Sequence, residues 1–152
     1  MNAVFENYGS PRSDKLDNSS YLTLKNRVDE LNKLSVWIND IATLFEISDS
    51  VVFKIDLTLT ELMSNIINYA FPTPCESEIN IKCHYSYNII KIDVEDNGIP
   101  FNPLALPDVV LPKSLSEAHI GGLGIFIIRQ YADESSYQRK NNKNIFTIKL
   151  KI

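Results

Sequence analysis

Three short segments carry side chains whose types and spacing could do chemistry. Glu61-Leu62-Met63-Ser64-Asn65 sets a carboxylate and a carboxamide four residues apart. On a helix that spacing is one turn, so both groups project from the same face. Asp96-Asn97-Gly98 sets an acceptor-only carboxylate and a glycine at the end of an alternating apolar run. Gly121-Gly122-Leu123-Gly124 is a glycine cluster running into Ile125, Phe126 and Ile128. Free backbone N–H groups and the helix dipole at such a start favour an anion. A carboxylate base, a metal-ligating amide, an acceptor for a purine amine and an anion cradle together describe a nucleotide site. Any one of them alone would be a weak signal.

The elements that must position these groups are legible in the periodicity. Ser20-Tyr21-Leu22-Thr23-Leu24-Lys25 alternates as a strand. Asn26 offers an N-cap for a helix reaching Glu46, in which Val28, Leu31, Leu34, Ile38, Ile41 and Phe45 recur at helical spacing. A second helix is expected from Ser48 or Asp49 to a stop before Pro72, with Val52, Ile55, Leu59, Leu62 and Ile66 on one stripe. Glu61, Asn65 and Asn68 form a polar strip beside that stripe. A solvated helix face would also give a polar strip, but such faces are usually dominated by charged residues, and this one reads carboxylate, amide, amide. Ile79–Cys83 and Ile90–Glu95 alternate at period two and are expected to pair as a hairpin turning around Ser86 to Asn88. Asp96 continues the inward parity of Ile90, Ile92 and Val94, so it points to the core side, where an unpaired carboxylate is costly. An adenine amine would supply a donor. The alternative is an Asp-Asn-Gly turn whose Asp caps its own backbone.

From Ile99 to Ile120 the chain changes character, with Pro100, Pro103, Pro107 and Pro112 among scattered Leu and Val. A stretch of about 20 residues without periodicity inside a compact domain is more often a functional lid than filler. A helix from the glycine cluster to about Ala132 and two strands, Glu134–Lys140 and Asn144–Lys151, joined at Asn141-Asn142-Lys143, complete the chain. Residues 1–18, rich in Asn, Ser, Asp and Pro, read as a flexible N-terminal tail, and 19–152 as one domain.

Bulk properties narrow the function classes. With 152 residues the chain can bury one sizeable core. The formal net charge of −4 argues against a nucleic-acid backbone as the main partner. No run approaches the ~20 apolar residues of a membrane span, and no signal peptide is visible, so a cytoplasmic location is expected. Cys75 and Cys83 form neither a disulfide framework nor a metal-ligand pattern, and Cys83 alternates with Ile79 and Ile81 as a small buried hydrophobe. His84 and His119 have no partner at ligand spacing.

Glu61-x-x-x-Asn65, Asp96-x-Gly98-x-Pro100-Phe101-x-Pro103, Gly121-Gly122-Leu123-Gly124-Ile125 and the closing Asn144-x-x-Thr147 strand occur in one order. From about Ser20 onward the chain thereby resembles the GHKL ATPases, the gyrase, chaperone, histidine kinase and MutL relatives. It is most similar to their small bacterial branch, the anti-sigma factor serine/threonine kinases. The resemblance implies an α+β, two-layer sandwich, with a mixed, mostly antiparallel sheet and helices packed on one face. It implies ATP and Mg²⁺ as cofactors, with Glu61 as the catalytic base and Asn65 as the metal ligand. Asn65, Asp96, Gly98, Gly122, Leu123, Gly124 and Thr147 would contact the nucleotide. Asp96 would accept from the adenine amine, Gly98 would let the base pack on the backbone, and Thr147 would support a water beside Asp96. The segment from Ile99 to Ile120 would be the ATP lid, with Lys113 as its one cation, and Tyr69 stands where many relatives have histidine. The implied partners are a small anti-sigma-factor antagonist, phosphorylated on serine, and a sigma factor or similar regulator; a homodimer is also implied. A non-catalytic switch that reads ATP against ADP is the alternative, although retention of Glu61 favours the kinase.

Overall fold

The computed structural model describes residues 18–105 and 123–152. The tail expected over residues 1–18 therefore lies almost wholly outside the described residues, as do Lys113, His119, Gly121, Gly122 and most of the expected lid. In chain order the elements are β1 (Ser19–Lys25), α1 (Leu31–Leu44), α2 (Asp49–Tyr69), β2 (Glu78–Ser86), β3 (Ile89–Asp96), α3 (Leu123–Tyr131), β4 (Glu134–Lys140) and β5 (Lys143–Lys151). Short 3₁₀ turns lie at Val28–Glu30 and Pro103–Ala105.

The strands form one sheet in the order β1-β2-β3-β5-β4. Each of its four neighbouring pairs is antiparallel. Two of the pairs are hairpins closed by two-residue turns in the left-handed region, Tyr87 and Asn88 (φ 50° and 59°) and Asn141 and Asn142 (φ 52° and 60°). Turns of that kind match the twist of the flanking strands. Asparagine tolerates that conformation far better than most residues; Tyr87 does not share this ease, and its ring stays exposed.

Period-two patterning decides which face of the sheet is covered. Leu24, Ile79, Ile81, Cys83, Ile90, Ile92, Val94, Phe146, Ile148 and Leu150 are buried together with the apolar stripes of the helices. On α1 that stripe is Leu34, Trp37, Ile38 and Ile41; on α2 it includes Ile55, Leu59, Leu62, Met63 and Ile66. Full burial of such a side chain contributes about 1.5–3 kcal/mol. A one-residue slip of β3 would expose its whole inward set, so the pairing of Asp96 with Asn144 is held by the core. The other face is polar: Lys91 donates to Asp93 and Thr23 to Asn80. The expected two-layer α+β sandwich is thus present, with α1, α2 and α3 on one side. Among the described residues no helix is long and apolar enough to cross a membrane.

The first helix begins later than its apolar spacing suggested. Asn26 does not cap it. Asn26 Nδ2 donates to Cys75 O at 2.9 Å, and Ser77 N donates to Asn26 Oδ1 at 2.9 Å. Its amide is consumed in holding the α2–β2 connection against the end of β1, and a 3₁₀ turn precedes the helix instead. Glu30 closes that turn, accepting from Lys25 N and from Lys33 Nζ.

Candidate functional site

Helix α2 carries the first group. Ser48 starts it in an extended conformation (ψ 151°), and its carbonyl accepts from Val51 and Val52 N. The helix ends at Tyr69, two residues before Phe71-Pro72, where proline cannot continue the hydrogen-bond ladder. Within it Asn65 is buried (7% exposed), Glu61 is half-buried and Asn68 is exposed. Asn65 Nδ2 is buried with no hydrogen-bond partner among the described residues. A buried amide left so is expensive unless something else meets it.

The start of α3 lies directly on this pair. A β-carbon added to Gly124 would come within 2.9 Å of both Asn65 Nδ2 and Glu61 Oε2. The position therefore tolerates no side chain without moving the two polar groups, and the glycine lets the backbone of α3 reach them. Further along α3, Ile125 and Ile128 are buried in the core, and Arg129 Nη2 donates to Leu104 O at 2.9 Å, tying the helix to the 3₁₀ turn after Pro103.

The second group sits at the end of β3. Asp96 is 3% exposed, and its Oδ1 accepts from Gly98 N at 2.8 Å and from Asn144 Nδ2 at 2.9 Å. Asp96 thus caps its own turn, with one oxygen only. Among the described residues no donor meets Oδ2. Burial pushes this carboxyl above the ordinary carboxylate range, against the opposing pull of the Asn144 and Gly98 hydrogen bonds and the Arg139 charge.

The Asp96 turn docks on the C-terminal end of α2. Ile99 N donates to Ala70 O at 2.9 Å, and a β-carbon on Gly98 would stand 2.4 Å from that carbonyl oxygen. Gly98 is thus required for contact with the helix end, a role the resemblance did not include. At 1.5 Å per residue, Ala70 lies about 8 Å along the axis from Asn65 and about 14 Å from Glu61. Along one helix therefore lie, in order, the docked Asp96 turn, Asn65, and Glu61, with Gly124 against the last two.

Thr147 does not join this cluster. Phe146, Ile148 and Leu150 occupy the covered face of β5, so Thr147 faces the open side, where its hydroxyl donates to Asp93 Oδ1 at 2.5 Å. The water-supporting role beside Asp96 is corrected on that geometry. The position beside Asp96 belongs to Asn144, which shares the inward parity of Phe146 and pairs with Asp96 in register. The same parity was readable in the sequence, but the pairing of β5 with β3 was not. Tyr69 is half-exposed, its ring 6.0 Å from that of Phe101.

The arrangement fits a nucleotide with a hard cation. Asn65 has an amide end with no partner among the described residues, and rotation of the amide presents its oxygen at the same place. Asp96 Oδ2 meets no donor among the described residues, and a glycine brings the start of α3 onto Glu61. The profile of the histidine kinase-like ATPase domain matches residues 24–150. A serine/threonine-protein kinase, BtrW, of Bordetella bronchiseptica is 27% identical over 112 residues, covering 74% of this chain and 79% of that protein. The crystal structure of the RsbU and RsbW domains of a Mycobacterium tuberculosis protein superposes with a TM-score of 0.63 at 10% identity. That match covers 88% of this chain and 32% of the other, so the chain spans about a third of the larger protein and shares its fold. Fold and sequence similarity converge on one assignment: the chain belongs to the histidine kinase-like ATPase domain family.

Proposed function

We propose that this chain is an ATP- and Mg²⁺-dependent serine/threonine protein kinase that phosphorylates a small anti-sigma-factor-antagonist-like protein and also holds a sigma factor or similar regulator. The observation that carries the reading is the contact of Gly124 with both Glu61 and Asn65. It brings the start of a glycine-led helix, where an anion is favoured, onto a carboxylate and an amide that has no partner among the described residues. Similarity to a serine/threonine-protein kinase supports the same reaction class.

Each residue then has a task. Asp96 Oδ2 accepts from the adenine amine, and Asn65 ligates the cation through its amide oxygen. Bound Mg²⁺ neutralises phosphate charge, the principal demand of phosphoryl transfer. Gly124 keeps the backbone close to the phosphates. Glu61 receives the proton of the attacking serine hydroxyl, a step that general bases accelerate by about 10²–10⁴. A pure binding module needs Asn65 and the glycines but has no use for a carboxylate at position 61.

The test separates binding from chemistry. MgATP and MgADP should raise the melting temperature by mass action, and GTP should do so less, because its 6-oxo group cannot donate to Asp96. Glu61→Gln should keep ATP affinity and lose transfer from γ-labelled ATP to a candidate antagonist domain by a factor on the order of 10². An unmoved melting curve at saturating ATP would refute nucleotide binding. Equal transfer by Glu61→Gln and the parent would remove Glu61 from the mechanism.

A further inference from the structure

The least expected feature of the site is the polar chain behind Asp96. Asn144 is 3% exposed, and all of its amide is engaged. Its Oδ1 accepts from Arg139 Nη1 at 2.8 Å and from Tyr137 Oη at 2.8 Å. Its Nδ2 donates to Asp96 Oδ1 at 2.9 Å and to Ile99 O at 2.8 Å. Arg139 Nη1 also donates to Gly98 O at 3.0 Å, and Nη2 to Asn142 O at 3.2 Å.

Two consequences follow from donor and acceptor types alone. First, the amide has one orientation: turning it over would place its NH₂ against a guanidinium and its oxygen against a carboxylate and a carbonyl. Second, with its NH₂ toward Asp96, Asn144 joins Gly98 N in filling Oδ1, so the remaining acceptor is Oδ2. The carboxylate is thus held in one rotamer with one oxygen presented. Arg139 and Asn144 between them also hold Gly98 O and Ile99 O, the two carbonyls of the turn that follows Asp96.

We propose that Asn144, oriented by Arg139 and Tyr137, is a positioning residue that sets the preference of this site for a 6-amino purine over a 6-oxo purine. Its amide does not touch the base. It decides which oxygen of Asp96 is presented and keeps that oxygen an acceptor. The inference rests on the reading of Asp96 as the base acceptor. A substitution that puts an acceptor in place of the Asn144 NH₂ should leave Asp96 facing another oxygen. The two groups then share a proton or turn apart, and an amine loses its advantage over a carbonyl.

The experiment compares the dissociation constants of MgATP and of the Mg complex of inosine triphosphate, which differ at the 6-position of the base. The parent should prefer ATP. Asn144→Asp is nearly isosteric and keeps the acceptor that Arg139 and Tyr137 require, so folding can be checked by circular dichroism and melting. It should reduce the ATP-to-inosine-triphosphate preference by about tenfold, the scale of one hydrogen bond to a charged group. A merely structural role would weaken both nucleotides together and leave the ratio intact. Arg139→Gln, which removes the charge that orients the amide, should lower the ratio in the same direction and serves if Asn144→Asp does not fold. A parent that discriminates, with variants that discriminate equally well, overturns the role of Asn144 alone. A parent that binds ATP and inosine triphosphate equally, or neither, overturns the assignment of Asp96 and this inference with it.

Discussion

Replacing Gly124 with alanine separates what this glycine does for the fold from what it does for chemistry. The added carbon would stand 2.9 Å from Asn65 Nδ2 and 2.9 Å from Glu61 Oε2. Ordinary contact is near 3.5 Å, so each polar tip must retreat by about 0.6 Å. Both atoms are the far ends of side chains, and the retreat needs rotation rather than backbone movement. An off-rotamer excursion of that kind costs about 0.5–1.5 kcal/mol. Alanine in a helix recovers about 0.5–1 kcal/mol relative to glycine. The net change in stability should therefore stay within about 1 kcal/mol, a melting shift of no more than about 4 °C for a chain of this size. Phosphoryl transfer is far more sensitive to position, since a misplacement of about 1 Å can cost 10²-fold. A retreat of about half that should lower the rate on the order of tenfold. Melting by calorimetry, ATP affinity by titration and transfer from γ-labelled ATP measure the three quantities on one preparation. A variant that melts within about 4 °C of the parent yet transfers at the parental rate would refute the placement of Gly124 against the reacting groups. A melting point lowered by much more would show that the neighbours cannot give way.

Gly98→Ala should behave in the opposite manner, because its new carbon meets Ala70 backbone at 2.4–2.9 Å and no side-chain rotation relieves that. A loss of about 1–3 kcal/mol, read as a lower denaturant midpoint, is expected; an unchanged midpoint would contradict the docking of this turn on α2. Thr58 is fully buried, with Oγ1 unpartnered among the described residues, so Thr58→Val should stabilise by about 1 kcal/mol, and a loss in urea unfolding would reveal a partner for the hydroxyl. For pH, Asp96 lies above its ordinary 3.8 because of burial, so the folded state binds its proton more readily than the unfolded chain. Stability from this group therefore rises as pH falls through its folded value toward 3.8, while nucleotide affinity, which needs the ionised acceptor, falls over the same window. The melting increment given by ATP should shrink on acidification in the parent and stay flatter in Asp96→Asn, and parallel curves for the two would exclude Asp96 from base recognition.

Much of this site was legible because it depends on local periodicity. Glu61 and Asn65 share a helix face by their spacing alone, and period-two alternation carried β2 and β3 to their inward sets. The parity of Ile90, Ile92 and Val94 pointed Asp96 to the covered side, and burial at 3% agrees. Local pattern could not decide which distant segment would meet these groups. Asn26 had the residue type of a helix cap, but its amide bonds Cys75 and Ser77, some 50 positions along the chain. Gly98 had the look of a turn glycine, and its stricter constraint is the carbonyl of Ala70 at the end of another element. Thr147 and Asn144 lie three residues apart on one strand and so on opposite faces. The covered face takes Phe146, Ile148 and Leu150 because burying them against the helices outweighs any local preference of a threonine or an asparagine. That burial sets the register of β5 on β3, and the register places Asn144, and not Thr147, beside Asp96. Sequence alone determined which residue types could serve a nucleotide and on which local face each would stand. Tertiary structure decided which of them meet, because long-range pairing is selected by the summed burial of a whole strand and no single residue carries that sum.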